Sequence, residues 1–263
     1  MLIWLAGCSP AATPPPANVA PTTPSATPTP TTGTLKVPDY VRAALDAADR
    51  SPEDRALDAG RKPDLTLAFF GVQPGMRVAE LGAGGGYTSE LLARVVGPTG
   101  KVYAQNSPMI LEKFANVPWT ARLTKPELAN VVRADREFDD PLPAEATNLD
   151  VVLDVLFYHD TVWIGVDRAK MNRAVFAALK PGGIYGIVDH SGLPGSGVSG
   201  VKSVHRIEEK TVRDEIEQAG FVFVADASFL KNPSDTRDWN DSPKVAGERR
   251  GTSDRFVLKF KKP

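Results

Sequence analysis

The chain has 263 residues, 42% of them hydrophobic, enough for one large domain or two small ones with a real core. Its formal charge of -1 excludes an electrostatic case for nucleic acid. A single cysteine excludes an internal disulfide.

That cysteine is Cys8, and Leu5-Ala6-Gly7-Cys8 follows a short apolar start, Met1 to Leu5. The pattern resembles a bacterial lipobox, in which the cysteine is lipidated and becomes the mature N-terminus. The apolar stretch is too short to span a bilayer and lacks a basic n-region, and an upstream start codon would account for both. Ser9 to Thr34 are almost only Pro, Ala, Thr and Ser. Such a segment cannot bury apolar area, which predicts an extended, disordered tether. The expected organisation is therefore a signal remnant over 1–8, a tether over 9–35 and a folded domain over 36–263. That arrangement describes a periplasm-facing lipoprotein of the cell envelope, touching the membrane only through its anchor. A cytoplasmic location is the alternative.

The folded part opens with helix signals over 36–75. Asp39 after Pro38 can cap a first helix. Ser51 can cap a second, with Pro52 at its first position. A third runs from Pro63 to Phe70 and stops at Gly71. These helices can cover a ligand site or pack on a sheet edge. Arg50, Arg55, Arg61 and Lys62 among them read as solvated.

The sheet domain, 76–263, begins with Val78 to Leu81, a short apolar run that reads as a buried strand. Gly82, Gly84 and Gly86 follow, and then a helical pattern from Thr88 to Val96. Strand, glycine loop and helix bring a backbone close to a nucleotide-like ligand, because glycine permits positive φ and carries no Cβ. The dinucleotide spacing G-x-G-x-x-G fails, since its third glycine would fall at Tyr87. Further strands are predicted at 101–105, 131–134, 149–153, 183–189, 221–224 and 255–260. Helices are predicted at 108–116, 166–179 and 211–219, and the polar stretch 230–250 reads as a long insertion.

The spacing acidic-x-G-x-G-x-G, filled by Glu80, Gly82, Gly84 and Gly86, resembles the first motif of class I S-adenosylmethionine (SAM)-dependent methyltransferases. Leu179-Lys-Pro-Gly-Gly183 before an apolar strand is a second matching motif. More narrowly, the chain resembles bacterial methyltransferase-like proteins made with export signals. The resemblance implies SAM as cofactor, with Glu80, Gly82, Ala83, Gly84, Gly86 and Tyr87 at its methionine part. It also implies that an acid at the end of the second strand should hold the ribose hydroxyls. Here those positions carry Gln105 and Asn106, which can hydrogen-bond a hydroxyl without charge assistance. Asp135 would meet the adenine, with Asp139 and Asp140 as competitors, and Asp154 is a further cofactor-binding candidate.

Ligands of open parallel sheets bind at the carboxyl ends of strands. Tyr158 and His159 after the fourth strand, and Asp189 and His190 ending the fifth, are thus the candidate catalytic residues, with His159 as a general base. His205 reads as structural. His159, His190 and His205 lie far apart in sequence, so no metal site is predicted. The expected fold is α/β: a Rossmann-like, seven-stranded, mostly parallel sheet with helices on both faces and a C-terminal antiparallel hairpin. The expected function is methyl transfer to a small-molecule acceptor. The alternative is an exported lipoprotein that uses the scaffold for ligand binding or an accessory role.

Overall fold

A computed structural model describes residues 35–263. The lipobox with Cys8 and residues 9–34 of the expected tether lie outside the described residues. Three helices come first: α1 (Asp39–Asp46), α2 (Pro52–Arg61) and α3 (Pro63–Phe70). Ser51 caps α2 as expected, its Oγ accepting from the Asp54 backbone N–H at 3.1 Å. Asp39 sits in the first turn of α1 rather than capping it; Pro38 holds the cap position. α3 ends at Gly71, whose left-handed backbone lets its N–H return to Leu67 O at 3.1 Å.

The alternating part runs β1 (Arg77–Leu81), α4 (Tyr87–Val96) and β2 (Lys101–Asn106). Next come α5 (Pro108–Ile110), a π turn (Leu111–Ala115), α6 (Asn116–Arg122), β3 (Val131–Asp135) and β4 (Leu149–Val155). The helix expected at 108–116 therefore continues six residues further through its π turn, and buried Trp119 anchors the extension. Then follow α7 (Asp160–Ile164), α8 (Arg168–Ala178), β5 (Leu179–His190), α9 (Val201–Val204), α10 (Glu209–Gln218), β6 (Val222–Ala227) and β7 (Arg255–Lys261). β5 already pairs at Leu179, and Lys180 to Gly183 form an irregularity inside the strand rather than a break before it. β4 extends through Asp154, which makes that residue part of the strand.

The sheet order is β3-β2-β1-β4-β5-β7-β6. β1 to β5 are parallel, and β7 runs antiparallel to both its neighbours. The expected α/β sheet with its closing hairpin is present. The central strands are nearly continuous apolar runs because helices cover both faces. Chain direction across the sheet reverses between β1 and β4, which opens a crevice at their carboxyl ends. Their last residues are neighbours there, Leu81 opposite Asp154.

The N-terminal helices touch both the sheet and the loop region: Phe70 of α3 lies against Gly186 of β5, and Lys259 of β7 donates to Phe69 O at 2.7 Å. The Tyr87 hydroxyl of α4 donates to Asp58 of α2 at 2.6 Å, and Arg122 of α6 holds Asp54 of α2 through both its terminal nitrogens. Arg50 is not solvated: it is buried in a two-pronged pair with Asp58 at 2.7 and 2.8 Å.

Candidate functional site

The glycine loop is built as much by β2 as by its own residues. Gln105 Oε1 accepts from the Gly82 N–H at 3.0 Å, while its Nε2 donates to Arg136 O at 2.6 Å. Asn106 Oδ1 accepts from the Gly84 N–H at 2.8 Å, and its Nδ2 donates to Gly84 O at 3.1 Å. Both residues are fully buried. This corrects the ribose-binding role that the resemblance implied for them: the amides are committed to the loop backbone. It also explains the departure from an acid. Each side chain accepts on one atom and donates on the other, and a carboxylate cannot donate.

Two glycines of the loop do different things. A Cβ on Gly82 would lie 2.3 Å from the Phe157 ring, so only glycine fits against that aromatic. Gly84 has φ 56° and nothing within 4 Å of where its Cβ would be. Its requirement is conformational, and its outer side is open to a ligand.

Glu80 turns inward. It is buried and accepts from Ser89 Oγ, which ties β1 to α4. Burial pushes its pKa up to about 7 against the hydrogen bonds from Ser89 and Thr88. Its carboxylate is thus engaged between β1 and α4. Ala83 donates its N–H to Gln105 O at 2.8 Å. The Tyr87 ring lies under the Arg61 guanidinium at 4.5 Å. Asp135 pairs with Arg133 at 2.8 Å, Asp139 with Lys170 at 2.9 Å, and Asp140 with Arg136. All three acids are thus engaged in ion pairs with basic side chains.

Asp154 is the exception among the acids. It is completely buried at the carboxyl end of β4. Among the described residues neither carboxylate oxygen has a partner of hydrogen-bond geometry, although the nearby Phe157 N–H favours the ionised form slightly. Burial and the neighbouring Asp189 hold its pKa well above the usual carboxylate range.

The ends of β4 and β5 bring His159 and Asp189 together. Asp189 Oδ2 accepts from the His159 backbone N–H at 2.8 Å, and its Oδ1 lies 2.6 Å from His159 Nδ1. His159 Nε2 then faces His205 Nε2 at 3.0 Å and Asp160 Oδ1 at 3.3 Å. Burial would lower the His159 pKa, but the Asp189 and Asp160 carboxylates outweigh it and raise the value to about 10. His190 Nδ1 meets Asp241 at 2.5 Å and Ser253 Oγ at 2.9 Å. Burial, helped by Arg255, lowers its pKa to about 4 despite Asp241.

All three histidines of the chain thus converge, with ring centroids 4.1 to 6.1 Å apart. Sequence spacing leaves them unconnected, and His205, expected to be structural, is the one closest to solvent. It is placed by a left-handed backbone, φ 58°, at the end of α9, and Leu156 after β4 is held at φ 61°. Such conformations cost energy in bulky residues and collect at functional sites. His190 and His205 open on a cavity of about 270 Å³ whose walls include Arg61, Leu156, Asp160 and Arg255. Asp241, from the polar insertion, and Arg255, opposite His190 at the start of β7, were not anticipated. The only local hint of His205 was its position after a glycine-rich stretch. Asp241 carried no signal.

Tyr158 does not belong to this cluster. It is buried, its hydroxyl donating to Glu215 at 2.8 Å and accepting from Asn172 Nδ2 at 2.8 Å. It is a core aromatic that braces α8 and α10 against β4.

No protein-family model matches the chain. A stretch of 88 residues is 35% identical to the protein-L-isoaspartate O-methyltransferase of Aeropyrum pernix. It covers 30% of this chain and 34% of that relative, so the match spans about a third of the relative's length. Among solved structures, a SAM-dependent methyltransferase from Aquifex aeolicus superposes with a TM-score of 0.54 at 18% identity, covering 84% of this chain and 96% of that one. A proposed sarcosine dimethylglycine methyltransferase of Galdieria sulphuraria gives 0.56 at 18%, covering 86% and 98%. The [4+2]-cyclase SpnF gives 0.53 at 16%, covering 83% and 85%. The chain has the class I SAM-dependent methyltransferase fold. That a cyclase shares the fold shows that architecture alone does not fix the reaction.

Proposed function

We propose that the chain is a SAM-dependent methyltransferase acting on a small-molecule acceptor. The observation that carries this reading is Asp154, a buried carboxylate without a hydrogen-bond partner at the point where the sheet reverses. Such a group calls for a cationic or hydrogen-bond-donating ligand. SAM supplies both an ammonium group and a sulfonium. The open side of Gly84 gives room for its approach. When bound, SAM supplies a methyl group already activated for transfer.

The remaining work falls to the chain. Asp154 would hold the cofactor's amine, and the loop braced by Gln105 and Asn106 would fix its position. The arginine-lined cavity would receive the acceptor. The cluster of His159, Asp189 and His205, with His190 beside it, would assist the loss of the acceptor's proton. Tyr158 has no part in this.

Calorimetric titration of SAM into the purified chain tests the reading, with Asp154→Asn and Gly84→Val as variants and a circular-dichroism melt as the folding control. Micromolar binding in the wild type, weakened at least ~10-fold in each folded variant, is the expected result. Absence of heat at millimolar SAM would overturn it.

A further inference from the structure

Two imidazole Nε2 atoms 3.0 Å apart can share one proton or one cation. The geometry points to a cation: we infer that His159, His205 and Asp160 form a binding site for a first-row divalent metal ion of the zinc type. One donor atom from each of the three lies within 4.8 Å of the others. The His159 Nε2 separations of 3.0 Å to His205 Nε2 and 3.3 Å to Asp160 Oδ1 suit donors on a common ion. Ligand bonds of about 2.0–2.2 Å place two donors roughly 3.0–3.5 Å apart.

The surroundings support the assignment independently. A histidine that binds a metal through Nε2 characteristically gives its Nδ1–H to a carboxylate behind it. Asp189 stands there, 2.6 Å from His159 Nδ1, and takes the same residue's backbone N–H as well, so ring and main chain are both fixed. With Nδ1 so engaged, Nε2 is the ring atom of His159 directed at His205 and Asp160.

Two imidazoles and one carboxylate suit zinc, cobalt or iron(II) and disfavour magnesium, which prefers an all-oxygen shell. Three protein ligands leave a position open. His205 and Asp160 both line the cavity, so the open position faces it, opposite Arg61, Arg250 and Arg255. An anionic oxygen could rest there between the metal and a guanidinium.

The test uses the whole chain without SAM, so its outcome is independent of methyl transfer. Chelator-treated protein is titrated with Co²⁺, followed by its visible d–d absorption, and then with competing Zn²⁺. One Co²⁺ per chain is expected, displaced by Zn²⁺, together with a higher melting temperature in the presence of Zn²⁺. His205→Asn and Asp160→Asn alter the more accessible ligands and avoid the fully buried His159. Each should weaken binding at least ~100-fold while keeping the wild-type circular-dichroism spectrum. Asp189→Asn, acting through His159, should weaken it by ~10–100-fold. Failure of the wild type to take up either ion, or equal uptake by folded His205→Asn, would overturn the inference and leave a shared proton between the two rings.

Discussion

Asp189 holds His159 at two points, taking the backbone N–H on Oδ2 and the ring Nδ1 on Oδ1, so a single buried carboxylate sets both the start of α7 and the orientation of the ring. Replacement by Asn keeps the shape and removes the charge. Breaking a buried pair of this kind costs about 3–5 kcal/mol. Urea unfolding of Asp189→Asn should show that loss with an unchanged m-value. A cost under about 1 kcal/mol would mean that the pair is not ionised in the folded chain.

Arg122 joins three elements, reaching Asp54 of α2 at 2.9 Å, Glu90 of α4 and the Gly85 carbonyl at 2.6 Å. Its removal leaves Glu90, buried except for its remaining partners Arg94 and Lys125, with less compensation. Arg122→Ala should destabilise by about 3 kcal/mol. Because the α2 contact is lost too, hydrogen exchange should rise over residues 52–61 before it rises in the sheet.

Glu80 makes stability depend on pH in an unusual direction. Its folded pKa, about 7, lies above the ordinary 4.5, so folding binds a proton between those values. Stability from this group is full below pH 4.5, falls as pH rises to about 7 and is level beyond. At 1.36 kcal/mol per pH unit, the fall amounts to about 3 kcal/mol. Glu80→Gln should abolish that slope and gain on the wild type as pH rises from 4.5 to 7. Equal slopes in urea titrations across that range would refute the assignment.

Tyr158→Phe separates core from chemistry. The lost hydroxyl leaves buried Asn172 Nδ2 and half-buried Glu215 each short of one partner. That costs about 1–3 kcal/mol. Affinity for SAM and for Co²⁺ should not change. A variant that lost either while remaining folded would restore Tyr158 to the site.

The sheet was legible because its signals are local. Apolar runs such as Val78 to Leu81, the three alternate glycines and Ser51-Pro52 each act within a few residues, and each is found where expected. Of the candidate site, the strand ends were legible: β4 and β5 are parallel neighbours, which brings His159 and Asp189 to the same end of the sheet. His205 and Asp241 arrive through a glycine-rich stretch and an aperiodic insertion, and no short-range pattern encodes where such segments return. Arg50 illustrates the same limit in reverse. A basic residue in a polar helical region reads as solvated until a tertiary partner, Asp58, is seen to enclose it. Gln105 and Asn106 read as weakened ligands, since their donors and acceptors could not be assigned without the loop above them.

β7 comes last among the strands, yet it lies between β5 and β6. During synthesis β6 emerges before the strand that will hold it, and the outer edge of β5, Ile184 to His190, waits bare until residues 255–261 appear. Unprotected strand edges recruit foreign strands. Any break ahead of Arg255 would therefore do more than remove one wall of the cavity: it would leave a half-closed sheet whose bare edge is prone to self-association.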